Sequence, residues 1–112
     1  MQIDLNALQK YTDGKSPEIA VNVQTIEEAR EYLEIVKEYY ARDINLDYKE
    51  SLWNRYQERT IYLMRGKTVL YSSLDTISDK RYFSCITLDE FLQDIMIPEI
   101  DTGSFSAMLL ED

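Results

Sequence analysis

The spacing of apolar residues changes several times along the chain, and each change predicts an element. Residues 3–11 set Ile3, Leu5, Ala7, Leu8 and Tyr11 among polar neighbours, a short helix ending before Asp13-Gly14. After Ser16-Pro17 the period falls to two. Ile19, Val21 and Val23 then share one face of a strand over residues 18–23. Thr25-Ile-Glu-Glu28 matches a capping box, in which a Thr hydroxyl and a Glu carboxylate satisfy free amides at a helix start. From there to about residue 42, Ala29, Tyr32, Leu33, Val36, Tyr39 and Tyr40 form one broad apolar face at about 100° per residue.

The stretch 43–58 gives two conflicting signals. Ile44, Leu46 and Tyr48 alternate, while Leu52, Trp53 and Tyr56 have helical spacing, so it reads as a loop with at most a short helix. Residues 59–64 and 67–72 are β-prone runs either side of Arg65-Gly66, the clearest hairpin signal in the chain. Residues 74–81 are a polar connection and 82–86 a further short strand. Thr87-Leu-Asp-Glu90 is a second capping box, opening a helix to about residue 95 that Pro98 stops. The order α-β-α-(loop)-β-β-β-α predicts an α+β fold: a small, mostly antiparallel sheet of about four strands with helices packed on one face. Residues 1–97 are expected to form one domain, and residues 98–112 an acidic C-terminal tail with apolar anchors.

Composition narrows the function. The 112 residues hold no His, which removes Ser-His-Asp and Cys-His catalysis and every His-ligated metal site. Gly14, Gly66 and Gly103 are isolated, so neither a phosphate-binding loop nor a dinucleotide fingerprint can be written. No calcium-loop pattern is present either. Cys85, the only cysteine, sits in a predicted strand without an imidazole to activate it and reads as a small buried apolar residue. With no catalytic motif, cofactor or metal signature, a non-enzymatic protein is expected. A carboxylate- or Tyr-based enzyme or small-molecule binder is the minor alternative. The N-terminus lacks a signal-peptide pattern, and no apolar run approaches the roughly 20 residues of a membrane span. A cytoplasmic protein of a bacterial host is expected.

Charge supplies the one positive lead. Twenty-one acids face 12 bases, a formal net charge of -9. This disfavours nucleic acid and anionic membranes as direct partners and favours a basic protein. Two acidic features stand out. Glu27, Glu31, Glu34 and Glu38 recur at i, i+4, i+7 and i+11, a row of roughly 16 Å opposite the apolar face of the long helix. Like charges at this spacing do not help the helix, and Arg30 and Lys37 are expected to neutralise only the edge of the row. An ordinary solvated helix face is the alternative reading.

The second feature begins at residue 82, beyond the last basic residue, Arg81. Residues 82–112 carry seven acids and no base, whereas residues 1–81 hold 14 acids and 12 bases. In that region Asp89, Glu90, Asp94, Glu99 and Asp101 are interleaved with apolar residues, and Phe105, Met108 and Leu109 could anchor a partner. A tail packed on its own domain, or paired in a homodimer, is the alternative. Among nine tyrosines, Tyr32, Tyr39 and Tyr40 read as core or core rim, and Trp53 with Tyr56 as interface candidates.

The run Val21-Asn-Val, followed by Thr25-Ile-Glu-Glu-Ala-Arg-Glu-Tyr-Leu33, resembles a group of small phage and prophage proteins of mostly unassigned function. The later Thr60-Ile-Tyr-Leu, Val69-Leu-Tyr-Ser-Ser and Ile86-Thr-Leu-Asp-Glu-Phe-Leu92 extend the resemblance over about residues 19–92. The acidic tail beyond Ile97 departs from the pattern. The resemblance implies a mobile-element origin, where compact acidic proteins inhibit host machinery, anti-CRISPR proteins and other DNA mimics among them. Together these lines lead to an acidic inhibitor that binds the basic, nucleic-acid-binding surface of a host protein, such as a CRISPR-Cas nuclease. A self-associating assembly protein with its C-terminal segment as oligomer interface is the alternative.

Overall fold

A computed structural model describes residues 3–13, 18–76 and 83–97. The first helix, α1 (Leu5–Gln9), starts where the Asp4 carboxylate accepts from the amides of Asn6 at 2.9 Å and Ala7 at 3.3 Å. The first strand, β1 (Glu18–Asn22), leads into α2 (Ile26–Tyr39). Thr25 Oγ1 accepts from the Glu28 amide at 3.1 Å, but Glu28 reaches back to the Gln24 amide at 2.7 Å, one residue ahead of the cap. The box is therefore offset by one position. At the other end, Tyr40 and Ala41 both donate to the Val36 carbonyl, and the chain turns inward to bury Ala41, so the helix stops short of residue 42.

Two short helices, α3 (Leu46–Ser51) and α4 (Trp53–Tyr56), occupy the stretch expected to be mostly loop. Each is too short for periodicity to announce it, and tertiary bonds anchor the pair. Trp53 Nε1 donates to the Val23 carbonyl at 3.1 Å, and the Tyr62 hydroxyl donates to the Lys49 carbonyl at 2.6 Å. A 3₁₀ turn over Gln57–Arg59 follows, with Gln57 at φ +52, a conformation that favours glycine. The buried Asn22 side chain donates to the carbonyls of Glu58 at 3.0 Å and Thr60 at 2.9 Å, pinning this corner against the sheet.

The expected hairpin is formed by β2 (Thr60–Arg65) and β3 (Thr68–Ser73), paired from Thr60↔Ser73 to Arg65↔Thr68. Its two-residue loop is Gly66-Lys67, one position later than the pattern suggested. Positive φ falls on Gly66 alone, the requirement of a type II′ turn. Beyond a 3₁₀ turn at Leu74–Thr76 lie β4 (Phe83–Thr87) and α5 (Leu88–Ile95), the latter opened by a complete capping box between Thr87 and Glu90.

The four strands form one sheet in the order β3-β2-β1-β4. Two pairings are antiparallel, as expected. The third is parallel, β4 lying beside β1 from Glu18↔Phe83 to Asn22↔Thr87, so the sheet is mostly antiparallel with one parallel pair. The strand sequences explain the order. Ile19, Ala20 and Val21 in β1, and residues 61–64 in β2, are apolar on both faces, which only central strands can use.

All five helices lie on one side. Val21, Tyr62, Met64 and Val69 from the sheet meet Leu8, Tyr32, Leu33, Val36, Phe91 and Ile95 from the helices in the main core. Its centre is aromatic: the Tyr32 ring stacks on Tyr62 at 5.6 Å and meets Phe91 at 5.3 Å, and Tyr11 stands edge-on to Phe91 at 4.9 Å. Tyr39 and Tyr40 form its rim, as their helical positions suggested. The opposite sheet face carries a smaller cluster of Ala20, Ile61 and Leu63, with Leu74, Phe83 and Cys85 packed on it. The expected boundary at residue 98 lies outside the described residues.

Candidate interaction surfaces

The acidic row on α2 is present as a surface. Glu27, Glu31, Glu34 and Glu38 are all exposed, while the next positions around the helix, Tyr32, Leu33, Ile35 and Val36, are buried. Arg30 neutralises one member: its Nε donates to Glu34 at 2.9 Å, and its guanidinium also reaches Asp47 at 3.1 Å and Glu50 at 3.7 Å. The second expected neutraliser is used elsewhere, because Lys37 Nζ donates to the Ile44 carbonyl at 2.6 Å. Glu27, Glu31 and Glu38 thus form no ion pair among the described residues.

The acids of α5 divide differently. Asp89 is exposed in the first turn. Glu90 is committed to the capping box, accepting from the Thr87 amide at 3.2 Å. Asp94 ties α5 to α1: Lys10 Nζ lies 2.6 Å from its carboxylate, and the Tyr11 hydroxyl donates to it. Burial alone would raise the Asp94 carboxyl, but the hydrogen bonds from Lys10 and Tyr11, with the Lys10 charge, outweigh it and hold it below its ordinary value. Asp94 and Glu90 are therefore structural acids, and Asp89 is the free one. Glu99, Asp101, Phe105, Met108 and Leu109 lie outside the described residues.

The parallel β1–β4 pairing adds something spacing cannot show. Asn22 pairs with Thr87, so α2 and α5 both begin at the same end of the sheet. Their first turns, with Glu27 and Glu28 on one and Asp89 and Glu90 on the other, make that end acidic. Carboxylates at helix N-termini are favourable, since the helix dipole is positive there.

Trp53 and Tyr56 part company. Trp53 packs on the main core with its indole N–H bonded internally, whereas Tyr56 is 38% exposed with its ring 6.1 Å from that of Tyr71. Tyr48, on α3, is more exposed still at 59%. Cys85 is half-buried on the far sheet face, and burial is the main cause raising its thiol pKa.

Two concavities stand out beside a shallower one of about 430 Å³ lined by Glu34, Lys37, Glu38, Arg42 and Leu46. An apolar groove of about 270 Å³ runs along the far sheet face, lined by Ala20, Ile61, Leu63, Leu70 and Phe83 among others. A wider depression of about 670 Å³ lies where the end of α2, α3 and the β2–β3 hairpin meet. Its walls include Tyr39, Tyr40, Arg42, Lys49 and Lys67. These three cations were not singled out by the sequence, where they stand far apart. Among the described residues no group of acids and thiols is placed to hold a metal ion, and no helix is long and apolar enough to cross a membrane. No family model, curated protein or solved structure matches the chain.

Proposed function

We propose that this is a non-enzymatic interaction protein that binds a basic, nucleic-acid-binding surface of another protein through the outer face of α2. The supporting observation is that Glu27, Glu31 and Glu38 are exposed in one row and hold no cation among the described residues. Neighbouring like charges on a helix cost a few tenths of a kcal/mol per pair, so the i,i+4 spacing of the row is not explained by the stability of α2. The row is suited to attracting a basic surface, where charge steers encounter and sets orientation. Asp89, at the start of α5, extends the acidic end of the molecule. Occupying such a surface would block nucleic acid from it, which is the inhibitor reading; the phage-like sequence pattern adds host machinery, CRISPR-Cas nucleases included, as the class of target.

The test is an affinity pull-down from bacterial lysate across a salt series, run in parallel with a Glu27→Gln/Glu31→Gln/Glu38→Gln variant. Captured nucleic-acid-binding proteins should elute as salt rises and be missing from the variant. Equal capture by both, or no such protein at low ionic strength, rejects the reading.

A second reading, self-association through the C-terminal segment, draws support from the apolar groove on the far sheet face. Light scattering on the full chain and on a form ending before Pro98 separates the two. A dimer that becomes a monomer on truncation favours assembly.

A further inference from the structure

Nine Lys and Arg residues fall within the described regions. Four of them, Lys10, Arg30, Arg59 and Arg65, are in ion pairs. Five are not, and three of those five, Arg42, Lys49 and Lys67, line the same depression. A fourth, Lys37, donates to the carbonyl of Ile44, another of its walls. In a chain with 21 acids and 12 bases, cations should find carboxylates easily. Collecting the unpaired ones in one concavity instead leaves mutual repulsion that a bound anion would relieve.

We infer that this depression is a binding site for a small phosphate-bearing anion. Its volume of about 670 Å³ is within the usual range of small-molecule sites. Lys49 is held in place, since its Nζ donates to the Val69 carbonyl at 2.8 Å and its own carbonyl accepts from Tyr62. Arg42 and Lys67 are exposed and line the depression from two different elements, one following α2 and the other in the hairpin loop. Three cations against one acid, Asp43, leave an excess of two positive charges, which fits a dianionic phosphate better than a single carboxylate. Arg offers a planar fork to phosphate oxygens and Lys a point charge. Tyr39 and Tyr40 add aromatic wall beside them. A long polyanion such as nucleic acid is disfavoured, because the net charge of -9 and the acidic face of α2 repel it. A small anion meets only the local field.

Inorganic pyrophosphate is the probe, titrated into the full chain by calorimetry and by amide chemical shifts, with ionic strength held constant by sodium chloride. Saturable one-to-one binding is expected, with shifts centred on the residues around Arg42 and Lys67. The Arg42→Glu/Lys67→Glu variant should bind at least tenfold more weakly while its circular dichroism matches the parent, since both side chains are exposed. Arg55→Glu, a cation outside the depression, should bind as the parent does. Absence of saturable binding overturns the inference, as does unchanged affinity in the double variant or an equal loss in Arg55→Glu.

Discussion

The two faces of the sheet are built from the same four strands yet serve different ends. Facing the helices, Val21, Tyr62, Met64 and Val69 are sealed under α1, α2 and α5, with Tyr11 and Tyr32 against Phe91 and Tyr62 stacked on Tyr32. Facing away, Ala20, Ile61 and Leu63 form a cluster to which no described α-helix residue contributes, and the surface is hollowed into an apolar groove. Cooperative stability should therefore be concentrated on the helix side. Substitutions on the far face should cost less than those on the helix side.

Alkaline pH strikes that asymmetry hardest. Tyr11, Tyr32 and Tyr62 all belong to the helix side, and for each, burial is the first cause raising the phenol above its ordinary value of 10.0. A raised folded-state pKa means the stabilisation is complete below pH 10 and is lost as pH climbs past it, because only the unfolded chain releases the proton. The loss approaches about 1.4 kcal/mol per pH unit for each tyrosine, so about 4 kcal/mol per unit for the three. Circular dichroism and tyrosinate absorbance should report cooperative unfolding as pH approaches 12. Gradual ionisation of these tyrosines with the fold intact would remove the basis for the contrast.

Side-chain deletions sharpen it. Phe91→Ala should destabilise by about 3–5 kcal/mol, the range for truncating a sealed aromatic, while Leu63→Ala on the far face should cost about 2 kcal/mol. Urea denaturation of both variants decides, and equal losses would show the far face to be as tightly packed as the core. Smallest of all, Cys85→Ala should shift stability by less than about 1 kcal/mol, because a half-buried thiol contributes as a small apolar group. A much larger loss would mean that the far-face cluster depends on this side chain.

Elements with a local signal were readable in advance. The apolar face of α2 and the capping box at Thr87 depend on neighbours within a few positions, and the structure reproduces both. The hairpin was visible too, although Arg65 remains in the ladder and the loop moves to Gly66-Lys67, where glycine can supply the positive φ. By contrast α3 and α4 gave conflicting periods, since bonds from Lys49 to Val69 in β3 and from Trp53 to Val23, just past β1, hold them. The candidate site divides the same way. The exposed row on α2 follows from helical geometry alone. Lys10 and Tyr11 engage Asp94 from across the sequence, and nothing near Asp94 in the chain announces this.

Short-range chemistry was enough to set the α+β class, the main helix, the hairpin and the exclusion of histidine-based catalysis. These depend on residue type and on spacings of two to four positions. The parallel docking of β4 beside β1, the division of the acids into free and structural ones, and the meeting of Arg42, Lys49 and Lys67 came from packing. Each joins residues with no fixed relation along the chain. A polypeptide brings such groups together only when burying its apolar faces repays the entropy of closing long loops.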